Sequence, residues 1–129
     1  MTFGFFTLHC NNLDAMAEWY RDVVGFTQNC DFDGFKGFAT EKGVFFNMVK
    51  RGGGDFLENS DGLEYPHGIN DTMSIGLGVP TYKDVDIAYK RLTEGGAKGL
   101  KPPETGSFGR DAYVADPEGN VICINAMVE

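Results

Sequence analysis

Gly109-Arg110-Asp111-Ala112-Tyr113-Val114-Ala115-Asp116-Pro117-Glu118-Gly119-Asn120 decides the fold, because it reads as a strand running into a tight turn. Asp111 to Ala115 has the short, β-prone character of a strand, and Val121 to Met127 resumes it after the turn. Pro117 fixes φ, while Gly119 and Asn120 tolerate the positive φ that reverses a chain. The acids of this turn are explained by turn chemistry and need no reaction to account for them.

Working back toward the N-terminus, Met73 to Val79 alternates Met73, Ile75, Leu77 and Val79 with Ser74, Gly76 and Gly78, the pattern of a half-buried strand. The apolar set is expected under a helix, since exposing such side chains forfeits roughly 1.5–3 kcal/mol each. That leaves the small residues on the other face. Thr81 with Asp84 forms a capping box, Val85, Ala88 and Leu92 make an apolar stripe, and Gly95-Gly96 end the helix. A further strand is expected at Ala97–Leu100.

The first half follows the same order. A β-prone stretch at Phe3–His9 precedes Asn11-Asn12, which can cap a helix. Leu13, Ala17, Tyr20 and Val24 recur at helical spacing until Gly25. Strands are expected at Phe26–Phe32, Phe35–Thr40 and Val44–Val49, with turns at Gly34 and Lys42-Gly43. Strand, helix, strand, strand, strand therefore occurs twice. Tyr20 and Tyr89 hold the same place in their helices, and Glu41–Phe46 aligns on Glu118–Cys123, as duplication would produce. The expectation is an α+β fold in one domain of residues 1–129. Its modules span about 1–50 and 72–129, joined by a polar connection over about 51–71.

Composition narrows the function classes. The 129 residues are 42% hydrophobic and 23% charged, the balance of an ordinary globule. A net charge of −8 repels phosphate backbones, so no nucleic-acid partner is expected. Cys10, Cys30 and Cys123 are an odd number without a CxxC pair, which fits free thiols in a reducing compartment. Met1 to Cys10 has neither a basic n-region nor a long apolar h-region, and no apolar run reaches membrane-spanning length. A cytoplasmic protein with no membrane partner is expected. Eighteen glycines suit frequent turns, and eleven phenylalanines supply area for curved sheets or an aromatic cavity.

Two segments resemble the vicinal oxygen chelate superfamily of glyoxalases, extradiol dioxygenases, fosfomycin-resistance enzymes and bleomycin-binding proteins. One is Leu13–Phe26, a helix ending in Trp19-Tyr20 with a Val24-Gly25-Phe26 exit; the other is the Gly109–Asn120 stretch. The resemblance implies strands curling into a cup with helices outside, commonly closed as a homodimer. It also implies that metal-dependent members carry His, Glu or Gln on the first and last strands of each module. Those positions correspond here to Phe5, Ser74 and Cys123, with Phe46 by repeat offset or Asn47 by strand alternation completing the set. A phenyl ring has no lone pair to give, and one thiol with a hydroxyl does not hold a divalent ion. No metal and no other cofactor is therefore expected.

The candidate ligand-binding residues are Phe5, Thr7, His9, Asn47, Ser74, Gly76, Arg110 and Cys123. His9 shares a strand face with Phe5 and is the one candidate catalytic base, against the plainer reading of a hydrogen-bonded histidine at a strand end. Arg110 suits a carboxylate or phosphate clamp near the cup mouth, or a surface cation offsetting an acidic protein. Cys123 has no base beside it in sequence and reads as an inert thiol, and His67 reads as a solvated loop residue. The expected function is metal-free binding of an apolar or aromatic small molecule within the cup. A glyoxalase-like lyase or isomerase with a rearranged metal site is the alternative.

Overall fold

The structure, a computed structural model, describes residues 1, 3–41, 43–51 and 67–129. Lys42 of the expected Lys42-Gly43 turn and most of the expected connection, residues 52–66, lie outside the described residues. The chain divides between Glu64 and Tyr65 into two compact units. The elements are β1 (Phe5–Cys10), α1 (Leu13–Trp19), β2 (Gln28–Phe32), β3 (Phe35–Phe38), β4 (Phe45–Lys50), β5 (Asn70–Gly78), α2 (Tyr82–Glu94), β6 (Lys98–Gly106), β7 (Gly109–Ala115) and β8 (Asn120–Ala126).

In the first unit the sheet runs β1-β4-β3-β2, with β1 and β4 parallel and the other pairs antiparallel. The Asn12 side chain caps α1 by accepting from the Ala15 amide at 3.1 Å. The helix then widens over Tyr20–Val24, where the amides of Gly25 and Phe26 both donate to the Tyr20 carbonyl at 3.0 Å. Gly25 leaves this turn with φ 93°, which glycine adopts without strain, and the chain swings Phe26 back onto the core. There Phe46 lies 5.5 Å from Tyr20, 5.6 Å from Phe26 and 5.7 Å from Phe38 between ring centroids. Leu8, Met16, Phe38 and Met48 are buried with them. This aromatic cluster is the centre of the unit's core.

The second unit repeats the plan as β5-β8-β7-β6, again with the first pair parallel. Thr81 and Asp84 form the expected reciprocal capping box, each side chain serving the other's backbone amide. Val85 and Leu92 of α2 are buried over Ala112, Val114, Ile122 and Ile124 of the sheet. Asp116, itself buried, accepts from the amides of Glu118 and Asn120 at 2.9 Å and from the Asn120 side chain. The Asp-Pro-Glu-Gly-Asn segment is thus a self-satisfied turn joining two core strands.

Two strands depart from expectation. Met73 was expected under α2 with Ile75, Leu77 and Val79, yet it is 57% exposed and the other three are half-buried. The pairing of β5 with β8 shifts register between Asn70 and Ser74, which breaks the alternation, and α2 packs over β6, β7 and β8. Strand β6 continues to Gly106 through Pro102-Pro103. It lies at a sheet edge and slips register against β7 between Lys101 and Glu104, so the prolines owe no hydrogen bond there.

Candidate functional site

Each sheet has one face under its helix and one open face. In the first unit Phe5, Thr7 and His9 of β1 share the open face. Thr7 stands opposite Asn47 of β4, whereas Phe46 points into the aromatic cluster. The alternatives at the last strand of module one are thereby resolved, with Asn47 on the open face and Phe46 in the core. In the second unit Gly76 stands opposite Cys123, so Thr7–Asn47 and Gly76–Cys123 are equivalent pairs. The repeat is one residue shorter along the last strand than the Glu41–Phe46 alignment implied.

His9 pairs with Val49 at the end of β1, and its carbonyl accepts from the Arg51 guanidinium at 2.7 Å. The same guanidinium donates to the Asn11 side chain at 2.9 Å, tying the strand end to the start of the helix. His67 is exposed.

Arg110 is not where the sequence reading placed it. It shares the face of Ala112 and Val114 and reaches Asp86 of α2, with Nη2 2.7 Å and Nε 3.1 Å from Oδ1. Its other nitrogen donates to the Thr105 hydroxyl at 3.1 Å. Strand alternation puts Arg110 on the helix side, so it serves as a tie between α2 and the sheet rather than as a clamp on the open face.

The open face of the second sheet carries a continuous row across all four strands: Gly76, Cys123, Tyr113 and Lys101, each opposite the next. A parallel row runs Gly78, Asn125, Asp111 and Glu104. Lys101 Nζ sits 2.7 Å from Asp111 and 3.8 Å from Glu104, and 5.7 Å from the centre of the Tyr113 ring. The hydrogen bond to Asp111, foremost, raises the Lys101 ammonium above its ordinary range. Bonding to the Cys123 thiol is the main cause that holds the Tyr113 hydroxyl above the ordinary phenol range, with burial adding to it. Beside these rows lies a recess of about 500 Å³. Met73, Leu100, Val121 and the Tyr113 ring give it apolar walls, and Asp71, Thr72, Ser74 and Lys101 give it polar groups.

Of the residues expected from sequence, the structure gathers Ser74, Gly76 and Cys123 on this face, and Phe5, Thr7, His9 and Asn47 on the open face of the first unit. Lys101, Asp111 and Tyr113 were missed. Tyr113 and Asp111 were legible, since they alternate with the apolar Ala112 and Val114.

The metal that the resemblance brings to mind does not fit these positions. Phe5, Asn47, Ser74 and Cys123 offer one thiol, a hydroxyl and an amide oxygen, a poor set for a divalent ion. Among the described residues no three His, Cys, Asp or Glu side chains are gathered as a metal site requires. Nor, among the described residues, is any helix long and apolar enough to cross a membrane.

Comparison with solved structures finds the same fold in several proteins. A glyoxalase/bleomycin resistance protein/dioxygenase family enzyme from Burkholderia phytofirmans PsJN is 21% identical with a TM-score of 0.84, over 99% of this chain and 100% of that one. A glyoxalase-related enzyme from Fulvimarina pelagi is 21% identical with a TM-score of 0.79, over 95% and 86%. A lactoylglutathione lyase from Agrobacterium tumefaciens is 18% identical with a TM-score of 0.70, over 95% and 90%. At these identities the likeness is one of fold. Comparison with curated protein sequences finds no match. The family model for the Glyoxalase/Bleomycin resistance protein/Dioxygenase superfamily matches residues 2–124, nearly the whole chain, and the protein belongs to that superfamily.

Proposed function

We propose that the protein binds a small apolar or aromatic molecule on the open face of its second sheet, without a metal ion. The superfamily fold supports a small-molecule-binding or enzymatic role. The recess of about 500 Å³ carries the choice of site, since it has room for one or two fused rings between apolar walls. Gly76, two residues from Ser74 on the same strand, leaves further open space on this face: a Cβ built on it meets nothing within 4 Å. The donor chemistry at Phe5, Asn47, Ser74 and Cys123 supports the absence of a metal.

The same reading includes a cytoplasmic homodimer. Phe5 and Phe45 stand opposite each other, 65% and 60% exposed, and form an apolar patch that a second copy would cover. Light scattering tests this, with about 28 kDa, twice the 14.1 kDa chain, as the expected mass. Binding and metal content are tested together by equilibrium dialysis of neutral aromatic probes against protein purified without added metal. Saturable binding at less than a tenth of an ion per chain supports the proposal. About one divalent ion per chain, with binding lost on its removal, overturns it.

A further inference from the structure

Resting on that reading of the site, we infer that the recess selects ligands bearing a positive charge beside an aromatic or apolar body. Lys101 is the only cation among the described residues that line the recess, and its charge is already matched. Its ammonium lies 2.7 Å from Asp111 and 3.8 Å from Glu104. Asp71 adds a carboxylate to the lining that forms no ion pair with a described residue. Three carboxylates therefore stand against one ammonium: Asp71 in the lining, and Asp111 and Glu104 on Lys101 beside it.

The Tyr113 ring adds a second, uncharged attraction for cations. A tyrosine face carries the negative lobe of its quadrupole, and the protein's own ammonium already sits 5.7 Å from that ring's centre. Ring and carboxylates point the same way. An entering anion would lose hydration and meet Asp71, while Lys101, the one lining cation among the described residues, is already held by Asp111. An entering ammonium or amidinium would find a carboxylate and a ring face, while its apolar part packs on Met73, Leu100 and Val121. The net charge of −8 over the chain favours the approach of the same class of ligand. The ligand class is thus a small organic cation with a flat or apolar body, such as an arylalkylamine.

Three probes of one shape test this by titration calorimetry on the full chain: naphthylmethylammonium, naphthylmethanol and naphthoate. The ammonium is expected to bind about tenfold tighter than the alcohol, and naphthoate weakest, with the advantage shrinking as salt is raised. Asp71→Asn should reduce the ratio of ammonium to alcohol affinity, and Lys101→Met, which releases Asp111, should widen it. Opposite movements in two variants are not produced by general damage to the fold. Equal affinities for all three probes, or preference for naphthoate, would overturn the inference while leaving the binding face intact. Binding of none of them overturns the inference together with the reading on which it rests.

Discussion

Cys123 of β8 stands directly opposite Tyr113 of β7 on the open face of the second sheet, and bonding to the thiol holds the tyrosine hydroxyl above its ordinary range. A tyrosine whose pKa is raised on folding contributes stability that is complete below the unfolded value of 10.0 and is lost as pH climbs through the folded one. Lys101, raised from 10.5 mainly by its bond to Asp111, acts in the same direction. Melting temperature should therefore fall as pH rises above about 10. Cys123→Ala should lower the Tyr113 pKa toward the ordinary phenol value, read from tyrosinate absorbance. An unchanged titration would show that the thiol is not the cause.

Phe46 and its neighbour in sequence Phe45 should separate cleanly on mutation. Phe46 touches four aromatic rings, those of Phe6, Tyr20, Phe26 and Phe38, while Phe45 is 60% exposed. Truncating Phe46 to Ala should cost about 3–5 kcal/mol in urea unfolding. Phe45→Ala, measured where the proposed dimer is dissociated, should change stability by less than about 0.5 kcal/mol. Similar losses for the two would contradict the register of β4.

Gly99 of β6 lies beneath Tyr89 of α2, and a Cβ there would overlap the tyrosine hydroxyl. Gly99→Ala is expected to destabilise the protein by about 1–3 kcal/mol. Removing the hydroxyl should relieve most of that penalty, so Gly99→Ala with Tyr89→Phe should be more stable than Gly99→Ala alone. Additive losses in the double variant would show that the two residues do not meet.

The sequence made the helices legible because their ends are written in side chains: Asn12 and Thr81 with Asp84 at the starts, and Gly25 at the end of the first helical segment. The Asp116 turn was legible for the same local reason. Strand faces were less so. Met73 was misassigned because alternation was extended through a register shift that leaves no mark in the sequence. Arg110 was misassigned although Ala112 and Val114, two and four residues on, fixed its face; the basic charge suggested a ligand before the alternation was followed back. Lys101 belongs to a strand whose pairing with β7 slips on both sides of it, so its place beside Tyr113 follows only from the folded sheet.

That the open face of the second sheet holds the ligand, in the recess that Ser74 lines two residues before Gly76, is tested most directly by one dialysis experiment. Chelator-treated wild type and Gly76→Phe are titrated with the same naphthalene probe. A Cβ at Gly76 meets nothing within 4 Å, so the variant should fold with nearly unchanged melting temperature while its ring takes up space on the open face beside Cys123. Saturable binding by the wild type, reduced at least tenfold in folded Gly76→Phe, is the predicted result. Equal binding by the two folded proteins, or binding by the wild type only after a divalent metal is restored, would contradict the account.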